Sequence, residues 1–340
     1  MKKPIWWLIL ILAAVSAGCG GTKARPGESQ VPVFDTRKYL TAEASGATQG
    51  EAKRSALAEL ASIFHTRVRA ETQSRANAYL SATEDERFEK QVDQLVRIET
   101  DVQLEGARIG WVQANEKAGG YRALAVLDRD QAAARWRDEL QRTQTALETG
   151  LDTLSGLEGR LPRLTALNRL SILSGEMAVS QSRLSVLGRP AMPFDSDLSA
   201  VFTERQRLID STHFFIQIDG EAAELFAHRL GAAMTGQGYR IAHSADQAAG
   251  LISGTFWFQP LFLDNPNVRF VRALADISII DMDTQTQIAA FSENIRKGHV
   301  DENEARRKAI DQLAQQTAAD ILQAMGAIGM PAGHRDAEQP

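Results

Sequence analysis

Cys19 is the only cysteine among 340 residues, so no intramolecular disulfide can brace this chain. A polypeptide of this length must draw its stability from buried apolar area, whose share of the surface rises with size. The hydrophobic content of 44% is that of a globular protein, and the length fits about two domains. What the cysteine does instead is set by its neighbours. Lys2 and Lys3 give a short positive start, and Ile5 to Val15 (IWWLILILAAV) runs eleven residues without a charged or strongly polar side chain. A helix that crosses the roughly 30 Å hydrocarbon core needs about 20 apolar residues, so this run is too short to span it. The charge, the short apolar run and the small residues Ser16, Ala17 and Gly18 form the three regions of a secretory signal peptide over residues 1–18.

The small residues leading into Cys19 resemble the bacterial lipobox, with Ser16 standing where that motif more often has Leu. The resemblance implies cleavage between Gly18 and Cys19 and a lipid thioether on the sulfur. An ordinary signal peptide cut nearby would instead leave a lone thiol, open to oxidation or intermolecular pairing in an exported protein. One acyl chain anchors marginally and two or more anchor stably; the resemblance implies three. The following residue is Gly20 rather than Asp, which by the same resemblance implies the outer membrane, facing the periplasm.

Without residues 1–18 the chain loses two of its 38 basic residues and none of its 43 acidic ones, leaving a formal charge of −7. A mildly acidic chain offers no footprint for nucleic acid, whose binding is driven by phosphate neutralisation, so no nucleic-acid partner is expected. No second apolar run approaches spanning length, which makes the lipid on Cys19 the expected sole tether to the membrane. Residues 19–34 read as a flexible spacer, because Gly20 to Pro32 (GGTKARPGESQVP) is polar and carries Gly and Pro.

Residues 38–46 (KYLTAEASG) read as a short strand, and Thr48 to Glu51 fits a capping box. Leu57, Leu60, Ala61, Phe64 and Val68 then recur at helical spacing, whereas Thr66 to Gln73 alternates and leaves a strand open. Phe88, Val92 and Leu95 mark a second helix. Val102 to Leu104, Ala107 to Val112 and Tyr121 to Leu127 read as strands, with Ala118-Gly119-Gly120 turning between the last two. This predicts an α+β domain over 35–129. Its segments Ala42 to Gly46, Glu51-Ala52, Ala56 to Ala61, Leu104-Glu105-Gly106 and Tyr121 to Arg129 (YRALAVLDR) resemble the Lpp-twenty family of bacterial envelope lipoproteins. They are more distantly similar to the N-terminal domain of flagellar assembly protein T. The resemblance covers about 36–129, implies an envelope role, and carries over no catalytic residue.

From Asp130 the period becomes helical. Trp136, Leu140, Leu147, Leu151, Leu154 and Leu161 share one stripe, and Pro162 is expected to break the run. Ala166, Leu170, Leu173, Met177, Ser180, Leu184 and Leu187 then step by fours and threes, as a coiled-coil seam does. Two helices turning near Gly156–Pro162 predict an antiparallel helical hairpin over 130–188. Its stripe either packs on its own chain or is offered to a partner or a second copy. Gly188 to Ser196 (GRPAMPFDS) marks a boundary.

A second α+β domain is expected over 197–326, followed by a polar tail, 327–340. A helix at 197–210 leads to a strand at His213–Ile218 and a helix at Glu221–Gln237 closed by Gly238. Strands follow at Tyr239–Ala242, Gly250–Phe258, Val268–Ile280 and Gln287–Asn294, then a helix at Glu302–Met325. The order β-α-β-β-β-β-α resembles small domains of TolB-like periplasmic proteins and of lipoproteins that activate cell-wall synthases, a likeness of element order alone. The expected fold class is α+β: two small α+β domains linked by an antiparallel helical hairpin.

Signals of chemistry are sparse. His65, His213, His228, His243, His299 and His334 show no HExxH or comparable ligand spacing, and the chain has no G-x-S-x-G elbow, S-x-x-K, P-loop or G-x-G-x-x-G. No catalytic residue, cofactor or metal ligand is therefore assigned. Asp281-Met282-Asp283-Thr284 opens like an EF-hand loop, but Thr286 and Ser292 occupy its sixth and twelfth positions where Gly and Glu are needed. A turn whose Asp side chains cap backbone amides is the expectation there. On a strand, Phe256 and Phe258 share one face and Trp257 takes the other. These aromatics either pack in the core or, if Trp257 and Phe262 are exposed, form a partner or glycan contact.

These observations lead to the expectation of a lipid-anchored cell-envelope lipoprotein. Its role would be structural, adaptor or regulatory, without catalytic activity and with another envelope protein as partner. The alternative is a periplasm-facing enzyme, or a small-ligand or glycan-binding protein, using an interdomain cleft. A deep polar pocket with two carboxylates of shifted pKa would mark that alternative.

Overall fold

Thr48 starts the first long helix through the reciprocal bonds of a capping box. Its N–H donates to Glu51 Oε2 at 3.1 Å, and the Glu51 N–H donates to Thr48 Oγ1 at 3.2 Å. The computed structural model describes residues 32–80, 104–115, 119–190, 193–194, 196–261 and 268–327. In it this helix, α1, runs through Gln49–Leu80. Over residues 49–76 its buried residues are Ala52, Ala56, Leu60, Phe64, Val68, Thr72 and Ala76, one at every fourth position. An α-helix turns every 3.6 residues, so each step of four overshoots by about 40° and the stripe winds around the helix. The alternating stretch Thr66 to Gln73 lies inside α1, and the strand reading fails there. Thr72 turns its hydroxyl back to the Val68 carbonyl at 2.8 Å, and the continuous buried stripe outweighs the local alternation.

β1 (Tyr39–Gly46), β2 (Arg108–Ala114) and β3 (Tyr121–Asp128) form an antiparallel sheet in the order β1-β3-β2. α1 packs on β1 and β3. Leu104 lies before a turn rather than in a strand. The expected helix at Phe88, Val92 and Leu95, and residues Val102 and Gln103, lie outside the described residues.

Asp128 caps α2 (Arg129–Leu154) by accepting from the N–H groups of Asp130 and Gln131. α3 follows as Arg160–Val186. The two helices touch from end to end. Arg163 donates to the Leu154 carbonyl at 2.8 Å, Leu170 sits against Gly150, and the Arg183 guanidinium lies 5.6 Å from the centre of the Trp136 ring. Pro162 does not make the break between them. It sits in the first turn of α3, where a missing N–H leaves no bond unmade, and the chain turns at residues 155–159 instead.

α4 (Ser199–Ser211) leads into a five-stranded mixed sheet of β4 (His213–Gly220), β5 (Arg240–Ile241), β6 (Gly250–Leu261), β7 (Arg269–Asp281) and β8 (Thr286–His299). The strand order is β5-β4-β6-β7-β8. β4 is parallel to β5 and β6, and the β6-β7 and β7-β8 pairs are antiparallel. α5 (Ala223–Gly236) carries the crossover from β4 to β5 and ends in a Schellman motif. Gly238, at φ +83°, donates to Thr235 at 2.7 Å, and Tyr239 donates to Met234 at 3.2 Å. The expected strand at Tyr239–Ala242 shrinks to Arg240–Ile241, since Tyr239 is used in closing the helix.

α5 and α6 (Glu302–Ala324) cover one face of this sheet. Phe226 stacks on Phe256 with ring centres 4.7 Å apart, and Arg306 lies over Phe258. The fold is α+β. The described residues from Phe34 onward form one compact unit. Its core cluster is continuous from Leu60 and Phe64 through Leu161, Leu164 and Leu167 of α3 to Phe214, Ile252, Phe256 and Leu313. Among the described residues no helix is long and apolar enough to cross a membrane.

Candidate functional site

The side of the five-stranded sheet away from α5 and α6 is built by strand alternation. Phe256 is buried and Phe258 packs against the core, while Trp257 between them points the other way and is 37% exposed. The aromatic segment therefore splits between the two expectations: Phe256 and Phe258 are core, and Trp257 is surface. Phe262 lies outside the described residues. Among the residues of this sheet that pack against the core cluster, Ile216, Ile218, Phe258, Phe291 and Ile295 do so from the helix side.

The open side is ordered in cross-strand rows. Ser253 stands opposite Ser278, and their hydroxyls bond at 2.9 Å. Thr255, Asp276 and Ser292 form the next row, where the Ser292 hydroxyl donates to Asp276. Trp257, Leu274 and Asn294 come next, followed by Gln259, Arg272 and Arg296. β4 stops at Gly220, opposite Phe256, so the rows from Trp257 onward lie on β6, β7 and β8 alone. The result is a face on which one exposed indole and two arginines stand among half-buried apolar side chains, such as Leu251, Phe270, Leu274 and Ile280, and short polar ones. Its chemistry suits binding.

Asp281 to Thr284, the turn between β7 and β8, has a different task. The Leu161 N–H donates to Asp281 Oδ2 at 2.8 Å, and the Thr284 N–H and hydroxyl reach Asp281 Oδ1 at 2.8 and 3.0 Å. The Arg160 N–H donates to Asp283 Oδ2 at 3.2 Å, while its guanidinium binds both Asp283 oxygens at 2.7 Å. Asp281 is fully buried. The two carboxylates thus cap the N-terminus of α3, whose own N-cap, Gly159, has no side chain. Gly159 adopts φ +86°, and a Cβ there would lie 2.8 Å from Asp281 Oδ1. The hydrogen bond from Arg160, more than its charge, holds the Asp283 carboxyl below the usual carboxylate range. Arg163 does the same to Glu204, again chiefly through its hydrogen bond. Turn and capping were expected here; that the amides capped include another element's was not.

The expected carboxylate-lined cleft can be compared with an open depression of about 590 Å³ beside β5. It is lined by His213, Thr235, Tyr239, Arg240, Ile241, Ala242, His243 and Gln247, with no carboxylate among them. His65, on α1, has its pKa lowered first by burial and then by the Arg183 charge, and its Nε2 is buried without a hydrogen-bond partner among the described residues. His228 lies on α5 and His299 ends β8, while His334 lies outside the described residues. Among the described residues no three His, Cys, Asp or Glu side chains are grouped to hold a metal ion. Gly18 and Cys19, the residues expected to be cleaved and lipidated, also lie outside them.

Sequence reading missed Arg272 and Arg296. The period-two alternation of 269–280 carried the signal for a two-sided strand, but placing Arg296 opposite Arg272 requires the β7-β8 register.

No family model matches the chain, and no curated protein does. Several solved structures are similar in part. A minor lipoprotein from Acinetobacter baumannii is 16% identical with a TM-score of 0.28, over 33% of this chain and 93% of that one. The rare lipoprotein B from Shewanella oneidensis is 12% identical with a TM-score of 0.24, over 34% and 93%. A secreted protein from Helicobacter pylori is 12% identical with a TM-score of 0.34, over 84% and 97%.

Proposed function

We propose that this chain is a lipid-anchored cell-envelope lipoprotein that works as a structural, adaptor or regulatory component, without catalysis of its own. The observation that carries the proposal is the signal peptide running directly into Cys19, the one cysteine, with a polar spacer behind it. In this reading the lipid on Cys19 holds the protein to the outer membrane, on the periplasmic side. The 19–34 spacer lifts the folded part away from the bilayer. The folded part is two α+β halves, 35–129 and 197–326, linked by the α2-α3 hairpin. The open face of the five-stranded sheet is where an envelope partner is held.

Two experiments test this. Cys19→Ala should shift the protein from the membrane fraction to the periplasm or leave an uncleaved precursor; unchanged membrane fractionation sinks the anchor. Crosslinking in intact cells should capture another envelope component. Recovery of this chain alone would remove the adaptor role.

A further inference from the structure

We infer that two copies of this chain pair along the outer edge of β8, antiparallel about a two-fold axis at Ile295, and so join their five-stranded sheets into one. The inference goes beyond the adaptor role, which requires no second copy.

β8 is the last strand in the order β5-β4-β6-β7-β8. At 14 residues it is long for an edge. Among the described residues its backbone hydrogen bonds go to β7 alone, so one row of N–H and C=O groups faces outward without a backbone partner. Such a row is a template for another strand, and folds that keep an edge single shorten it, bulge it or point charges inward from it. β8 has a bulge and inward charges, and their placement selects which strand can pair.

The bulge is near the start of the strand. Ile279 faces Ala289 and Ile280 faces Gln287, which leaves Ile288 extra and residues 289–299 regular. The charges are Glu293 and Lys297, which share the side of Ile295 that α6 covers. Each stands opposite a buried apolar residue of β7, Glu293 opposite Ala275 and Lys297 opposite Val271. Glu293 accepts from Gln316 of α6. Lys297 has no ion-pair partner among the described residues.

Residues opposed in an antiparallel pair point to the same face, so a two-fold axis normal to the sheet must pass through a residue. With the axis at Ile295, Glu293 of each copy lies opposite Lys297 of the other. Asn294 then faces Arg296, and Phe291 faces His299. Residues 291–299 of both strands pair, all of them in the regular part, with about eight to ten backbone hydrogen bonds between them. Other positions of the axis are worse. At Asn294 it puts Lys297 opposite Phe291 and Glu293 opposite Ile295. At Glu293 it sets two glutamates together, and at Arg296 two arginines, and like charges so placed repel. An axis at Ser292 draws the bulge into the pair. The charges that obstruct a foreign strand or a shifted register are therefore satisfied by a second copy. Pairing also sets the two open sheet faces edge to edge.

Sedimentation equilibrium of the full lipidated chain, in density-matched detergent with micelles in excess over protein, reads the association. The parent should be a dimer at micromolar concentration. K297E opposes Glu to Glu and E293K opposes Lys to Lys, so each alone should weaken dimerisation about tenfold or more. Mixing the two variants should restore it to within about threefold of the parent, because each then meets opposite charges. Thermal melts within a few degrees of the parent exclude unfolding as the cause. Copies bearing N294C and R296C, at exposed positions, should form a disulfide-linked dimer on mild oxidation when mixed, and far less of it when either is alone. A monomeric parent, single variants that dimerise as the parent does, or a mixture no tighter than its components overturns the inference. So does crosslinking of R296C in cells to another protein in place of a second copy.

Discussion

Replacing Asp281 by Ala should destabilise the fold through an element 120 residues away in sequence. The carboxylate accepts from Leu161 at the start of α3 and from both donors of Thr284, and the Asp and Leu161 side chains are fully buried. Hydrogen bonds to a charged group contribute about 1.5–3 kcal/mol each, and truncating a helix cap costs about 0.5–2 kcal/mol. The three bonds share one side chain and their losses are not additive. The Leu161 amide, in contrast, would be left buried and unpaired. The expected loss is about 2–4 kcal/mol, which at about 2–4 °C per kcal/mol lowers Tm by roughly 4–16 °C. Asp281→Asn keeps the shape and one acceptor but removes the charge facing the helix N-terminus, and should cost about half as much. Urea unfolding followed by far-ultraviolet circular dichroism reads both, with the midpoint shifted and the slope unchanged. A stability within about 0.5 kcal/mol of the parent for Asp281→Ala, the range of neutral surface changes, would refute the capping argument.

The other predictions follow from neighbouring features. Gly159→Ala should cost about 2 kcal/mol in the same unfolding assay, because it strains a positive φ and pushes its Cβ toward Asp281 Oδ1 and Thr284. Phe226→Ala removes one of two stacked, fully buried rings and should cost about 3–5 kcal/mol. Acid should destabilise the protein in two stages. His65 has a lowered pKa in the fold, so the unfolded chain binds its proton first and stability falls as pH drops below about 6.5. His65→Gln should flatten that first limb between pH 7 and 5. Asp283 and Glu204 are also lowered, so their contribution is fully present above about pH 4.5 and is lost as pH falls through their folded values. Asp283→Asn should shrink this second limb, and a limb unchanged in that variant would count against the Arg160 pairing.

What could be read in advance was whatever one segment decides for itself. The Thr48–Glu51 cap needs only four residues, and its two bonds form as the residue types require. Gly238 ends a helix because its missing Cβ permits the left-handed turn, whatever lies beyond. The split of Trp257 from Phe256 and Phe258 follows from strand alternation alone, although which side would be covered depends on where α5 and α6 pack. Pro162 misled because the same residue that ends a helix is also at home in a first turn, and only the position of Gly159 separates the two. Thr66 to Gln73 misled because its alternation is local, whereas the every-fourth burial of α1 is set by neighbours along its whole length. The Asp281-Leu161 bond and the Arg272-Arg296 pair were beyond reach, since each exists only once distant segments are in register.

The central claim is the lipid anchor, and intact mass analysis of the mature N-terminus tests it most directly. The account predicts a chain beginning at Cys19 and heavier than its sequence by a diacylglyceryl group on sulfur and an acyl group on the new amine. A mature chain that starts elsewhere, or one that carries Cys19 as an unmodified thiol, would contradict it.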